Sequence, residues 1–125
     1  MGLDRVIRFP NSQPPKWDAV CKQLARVGET GQLRMIDGLP AFPDEIPAED
    51  WKELRVGTQA GMVTIRRTPP NALTCIIWGN ADQSLNLAWA KIIWACAGAG
   101  GGVIESPAGS ISADQFAQSE GLSPT

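Results

Sequence analysis

Residues 82–98 read DQSLNLAWAKIIWACAG and decide the fold that this chain can adopt. On a helical wheel with about 100° per residue, a band of apolar side chains lies within about 80° of Leu85, as expected of a helix face that packs against a core. These side chains are Ala88, Trp89, Ile92, Ile93 and Cys96. Leu87 and Trp94 fall on the opposite side, where a surface helix normally carries charged groups. The segment therefore predicts a helix that is covered on both sides.

The rest of the chain predicts an α+β domain around this helix. Residues 73–78 form the most apolar strand and are expected at the centre of a sheet, and residues 54–68 alternate as a hairpin does. Residues 17–28 predict an earlier amphipathic helix that ends at glycine. We expect a ferredoxin-like two-layer sandwich of order β-α-β-β-β-α-β. Its sheet is mostly antiparallel, with two helices on one face and a short C-terminal helix capped by Ser112.

The length of the chain and its composition indicate one globular domain. The 125 residues are 43% hydrophobic and 19% charged, which suits a single core spanning residues 1–125. Residues 39–50 are rich in proline and carboxylates and are expected to form an irregular segment, which we name the acidic loop. Residues 119–125 are expected to be a flexible tail.

The composition also excludes several classes of function. A net charge of −2 provides no field to attract nucleic acid or an acidic membrane. Histidine and tyrosine are missing from the sequence, which removes the most common general base, the serine–histidine and cysteine–histidine couples and the usual zinc ligands. The three cysteines, Cys21, Cys75 and Cys96, are typical of core residues in a reducing compartment. We therefore expect a cytoplasmic protein without cofactor or metal, and we assign no catalytic residue.

A run of small residues at 97–102 contains four glycines, which invites comparison with phosphate-binding loops. In such loops the glycines precede a helix, whose N-terminal N–H groups face the anion. Here the glycines follow the helix, so its carbonyl end faces them. The run predicts a helix C-cap and a closely packed turn.

The acidic loop is the first candidate interaction site. It places Asp44, Glu45, Glu49 and Asp50 within seven residues, without the ligand alternation of a calcium-binding loop. One interpretation is a solvated loop with no partner. The other is a recognition loop for a basic partner, with Phe42 as an apolar anchor.

The second candidate is the sheet face that points away from the helices. The alternation of the strands predicts Arg66 and Trp78 on that face, and the neighbouring strands add Arg34 and Arg55. Tryptophan and arginine are frequent anchors in protein interfaces. RNA-binding sheets carry several stacked aromatic residues, so this face does not favour nucleic acid. An ordinary solvated face is the alternative.

The outer side of the long helix is the third candidate, through Leu87 and Trp94. Either residues 111–116 fold back and cover these side chains within the chain, or a second copy or a partner covers them. Burial of each is worth about 1.5–3 kcal/mol.

These features predict a small non-enzymatic protein-interaction module that binds a protein partner or its own copy. In plan it is similar to small ferredoxin-like bacterial proteins that act as regulatory or toxin-neutralising (immunity-type) partners, a resemblance that rests on architecture. That resemblance implies that the acidic loop blocks a basic nuclease groove. The alternative is a small-ligand-binding protein or dimeric ferredoxin-like enzyme, in which Arg34, Arg55 and Arg66 hold an anionic substrate.

Overall fold

The computed structural model describes residues 2–79 and 81–125. Its strands are β1 Leu3–Arg8, β2 Gln32–Ile36, β3 Leu39–Pro40, β4 Glu53–Thr58, β5 Gly61–Thr68, β6 Ala72–Ile77, β7 Val103–Ser106 and β8 Gly109–Ser112. Its helices are α1 Trp17–Arg26, α2 Gln83–Gly100 and α3 Ala113–Glu120.

The strands form one eight-stranded sheet of order β3-β2-β4-β5-β6-β1-β7-β8. Every pair of neighbouring strands is antiparallel. The α+β class and the antiparallel sheet are confirmed. The ferredoxin-like order β-α-β-β-β-α-β is not confirmed, because the sheet has more strands than predicted and arranges them differently. In particular, β3 and β8 are additional strands at the two edges of the sheet, and β4 and β5 lie between β2 and β6.

Two of the additional strands arise from tight turns. Asp37 and Gly38 both have positive φ, 51° and 82°, which is the geometry of a two-residue hairpin turn. This turn pairs β3 with β2, so the first two residues of the acidic loop are a short strand and only the remainder is irregular. A second turn pairs β8 with β7. Both strands are short and lack the apolar alternation by which longer strands are recognised.

The three helices lie on one face of the sheet. The Trp89 indole of α2 donates a hydrogen bond to the Cys75 carbonyl of β6 (2.9 Å), and α1 and α3 both contact α2. The buried side chains of the sheet and the helices form one hydrophobic cluster. Since α2 contacts the sheet, α1 and α3, its buried side chains extend around the helix, as the sequence predicted.

Trp94 is covered within the chain. Its side chain is 3% exposed, and the Arg26 guanidinium lies 5.5 Å from its ring centroid. Arg26 in turn donates a hydrogen bond to the Thr125 carbonyl (3.0 Å), and Thr125 donates its N–H to the Arg26 carbonyl (2.9 Å). Thr125 is thus held against the end of α1, and residues 119 and 120 belong to α3. The flexibility expected of residues 119–125 stays a prediction.

The glycine-rich run closes α2, as predicted. Gly101 has a φ of 66° and is the C-cap, and its N–H donates to the Ala97 carbonyl. A Cβ at Gly100 or Gly102 would lie 2.6 or 2.8 Å from the Phe9 ring, so these positions admit the ring only because they lack a side chain. Ser112 is the N-cap of α3, also as predicted, and forms a capping box with Gln115. No helix in residues 2–79 and 81–125 has both the length and the hydropathy to cross a bilayer.

Candidate functional site

The acidic loop is held in place at both of its ends. After the loop, Trp51 is 3% exposed and belongs to the main core. Arg67 of β5 lies with its guanidinium carbon 4.6 Å from the Trp51 ring centroid and donates from Nη1 to the Glu49 carbonyl (3.0 Å). Before the loop, the Asp37 carboxylate accepts hydrogen bonds from the backbone of residues 52 and 53 (2.7 and 2.9 Å). The loop therefore has a defined path over the surface.

The side chains of the acidic loop combine apolar and acidic groups. Phe42 is 74% exposed and Ile46 is 87% exposed, and Leu39 is exposed as well. The predicted carboxylates, at positions 44, 45, 49 and 50, are exposed too. No lysine or arginine occurs in residues 39–50. The loop thus presents large apolar side chains inside a field of one sign.

A cavity of about 450 Å³ lies between the acidic loop and the start of α1. We name it the loop cavity. Its apolar walls include prolines from both segments, the Trp17 and Trp51 side chains, and Ile46. Cys21 of α1 and Arg67 of β5 also line it. Its volume lies in the range of about 300–1,000 Å³ that is typical of pockets for small ligands.

Carboxylates outnumber cations around the loop cavity. The acidic lining residues are Asp18, Asp44, Glu45 and Glu49, and the basic ones are Lys16 and Arg67. Lys16 pairs with Glu49 (Nζ–Oε1 3.0 Å), and a hydrogen bond to that carboxylate raises the pKa of Lys16. Burial raises the pKa of the Cys21 thiol, which keeps it protonated at neutral pH. The cavity therefore offers a negative field and no activated nucleophile.

The predicted sheet face is present, but two of its three arginines are already paired with a carboxylate. The Glu53 carboxylate forms an ion pair with Arg66 (Nε–Oε2 2.8 Å) and a longer one with Arg55 (Nε–Oε1 3.8 Å). Arg66 also lies 5.7 Å from the ring centroid of Trp78, which is 55% exposed. Arg34 packs against the backbone of residue 57 on the same face. Glu53 thus offsets part of the positive charge that an anionic substrate would require.

The fold separates the two residues of the third candidate site, Leu87 and Trp94 on the outer side of α2. Trp94 is buried within the chain and is not available as a contact, whereas Leu87 is 44% exposed on α2. Lys91, one turn further along α2, lies 3.7 Å from Glu29. Arg26, at the end of α1, lies over the Trp94 ring. The structure therefore does not bring Leu87 and Trp94 together on one surface.

The remaining cysteines are enclosed in the core. Cys75 and Cys96 are both buried, and a hydrogen bond with the Cys96 side chain together with burial raises the pKa of the Cys75 thiol. Within the part of the chain that the structure describes, no three histidine, cysteine, aspartate or glutamate side chains converge in a geometry that could hold a metal ion.

Comparisons with known protein families, with curated proteins and with solved structures gave no match to this chain.

The sequence indicated the acidic side chains of the site but missed its walls. The sequence places Trp17 only within the amphipathic helix of residues 17–28, and it assigns no role to Trp51 or Arg67. Trp51 follows directly after the polar, proline-rich stretch, and a tryptophan at such a position favours burial of a large apolar area. Arg67 could not have been found locally, because its contact with Trp51 spans sixteen positions and depends on the β4–β5 pairing.

Proposed function

We propose that this chain is a protein-interaction module whose acidic loop docks onto a basic surface of a partner protein. The observation that carries the proposal is the exposure of Phe42 and Ile46 between carboxylates, in a loop that is anchored at Trp51. Exposed apolar patches that are rimmed by polar residues mark interaction sites.

The energetics suit such a role. Covering Phe42 and Ile46 is worth about 1.5–3 kcal/mol for each side chain, before the cost of association. The carboxylates add attraction at a distance, which raises the association rate for a positively charged partner. Because the loop is already held in one path, less conformational entropy is lost when it binds.

A toxin-neutralising protein is the form of this function that the charge pattern suits best. A nuclease groove is lined by cations that bind phosphates, and an acidic loop with apolar anchors is complementary to such a groove. We place the protein in the cytoplasm as part of this proposal, on the basis of its three free cysteines.

The enzyme alternative has weaker support. It needs Arg34, Arg55 and Arg66 to be available to an anionic substrate, and Glu53 already pairs with two of them. Self-association through the open sheet face or Leu87 remains the other outcome that the test must distinguish.

In the test, the purified wild-type chain and two charge-reversal variants are each immobilised. The double charge reversal Asp44→Lys with Glu45→Lys alters the loop, and Asp114→Lys with Glu120→Lys makes the same change on α3, where both carboxylates are exposed. A protein retained by the wild type is identified and purified, and its association rate is measured at several salt concentrations.

We expect a basic partner whose association slows with added salt and with the loop reversal but not with the α3 reversal. Phe42→Ala with Ile46→Ala is expected to accelerate dissociation. Equal rates for the wild type and the loop reversal would overturn the proposal. Retention of only this same chain would assign the surface to self-association instead.

A further inference from the structure

The loop cavity is a feature separate from the exposed side chains of the acidic loop. Phe42 projects into solvent, whereas the cavity lies beneath the loop and is open to a group entering between the loop and α1. We infer that this cavity receives the side chain of one basic residue, an arginine or a lysine, that the partner protein projects. The inference rests on the proposed function, since it specifies what the partner contributes.

The walls suit the stem of such a side chain. Arginine and lysine have an aliphatic stem that packs on apolar surface while the charged end stays near polar groups. Trp17, Trp51 and the flanking prolines provide that apolar surface. Tryptophan is also the aromatic side chain that attracts cations most strongly, and since Arg67 already lies on the Trp51 ring, Trp17 is the aromatic wall that an entering cation would contact.

The charges around the cavity favour a cation over an anion. Lys16 is neutralised locally by its ion pair with Glu49. Neither Asp18 nor Asp44 takes part in the salt bridges found within residues 2–79 and 81–125. With Glu45 they leave three carboxylates against the one guanidinium of Arg67, so an entering cation gains partners and an entering anion is repelled.

The inference is tested with small probes and not with the partner. The probes are the blocked amino acids N-acetyl-arginine amide, N-acetyl-lysine amide, N-acetyl-glutamine amide and N-acetyl-glutamate amide. Binding is followed by NMR on the indole N–H signals, because Trp17 and Trp51 line the cavity while Trp78 lies on the open sheet face and serves as an internal control.

We expect saturable shifts of the Trp17 and Trp51 signals with the arginine or the lysine probe and none with the glutamate probe. Asp44→Asn should weaken this binding about two- to fivefold, as the loss of one partly exposed ion pair does. Asp50→Asn is the matched control, because Asp50 belongs to the same loop but does not line the cavity.

Two outcomes would overturn the inference: shifts of equal size with the glutamine probe, or no saturable shift with either cation. Neither outcome decides the proposed function, which is tested by the rates of the loop variants. Conversely, cation binding together with unchanged rates in the loop reversal would contradict the proposed function and leave the cavity as a cation site.

Discussion

The guanidinium carbon of Arg67 lies 4.6 Å from the centroid of the Trp51 ring, which joins β5 to the end of the acidic loop. A cation over an indole contributes about 0.5–2 kcal/mol, depending on its exposure. The same guanidinium donates to the Glu49 carbonyl, so one side chain holds both the ring and the backbone beside it. This contact explains how a stretch rich in proline and carboxylates keeps a definite path next to the cavity.

Trp51→Ala is expected to lower the free energy of unfolding by about 3–5 kcal/mol, because it removes a buried indole from the core. Urea unfolding measures the change. Trp78→Ala removes the same side chain from an exposed position and is expected to cost less than about 1 kcal/mol. Similar losses in the two variants would show that Trp51 is not the anchor of the loop.

Two glycines of α2 provide a matched pair. A Cβ at Gly100 would lie 2.6 Å from the Phe9 ring, so Gly100→Ala should destabilise the protein by about 1–3 kcal/mol. A Cβ at Gly98 meets only the end of the Gln23 side chain at 3.6 Å, so Gly98→Ala should stabilise the helix by up to about 1 kcal/mol. Thermal unfolding compares them, and the prediction fails if both substitutions shift the melting temperature in the same direction.

The Asp37 carboxyl predicts a dependence of stability on pH. Hydrogen bonds from the backbone N–H groups of Glu53 and Lys52 lower its pKa below the ordinary value. A carboxyl with a lowered folded pKa stabilises the protein fully above its unfolded pKa of about 3.9, and the contribution is lost as the pH falls through the folded value.

Asp37→Asn should therefore be less stable than the wild type at pH 7, and the difference should shrink as the pH falls below about 4. Asparagine tolerates the positive φ at this position, so the comparison isolates the charge. The midpoint of urea unfolding at each pH checks this. A difference that stays constant down to pH 2 would show that the carboxylate charge is not involved.

Trp94 and Leu87 should differ strongly, although both were predicted on the outer side of α2. Trp94→Ala is expected to cost about 3–5 kcal/mol, because this indole is buried under α1. Leu87→Ala is expected to cost less than about 1 kcal/mol at an exposed position. If the Leu87 variant loses as much stability as the Trp94 variant at high protein concentration, and this loss shrinks as both proteins are diluted, a second copy covers this side of the helix.

Much of the local structure was predictable because it depends on neighbouring residues. The capping of α3 by Ser112 and the closure of α2 at Gly101 follow from hydrogen bonds within one turn. The β4–β5 hairpin follows from strict alternation around a short turn. The strand order was not predictable in the same way, since β3 and β8 are too short to carry a pattern.

For the candidate site, the sequence supplied the charges and the exposed Phe42 but not the cavity. The cavity exists because the fold brings the start of α1 next to the acidic loop, and the sequence pattern of neither segment predicts this contact. The sequence likewise did not identify the segment that packs on Trp94. A helical wheel shows that this side of the helix must be covered, but it does not show which segment covers it.

By itself, the amino-acid sequence determined the α+β class, a long helix that is apolar on both sides, its glycine cap and an acidic loop without a cation. Hydrogen bonds and periodicities within a few residues are sufficient for these features. Only the tertiary structure decided the order of the strands, the burial of Trp94 under α1, and the meeting of Trp17, Trp51 and Arg67 around one cavity. Such contacts join residues far apart in the chain, and they depend on the packing of all the elements at once.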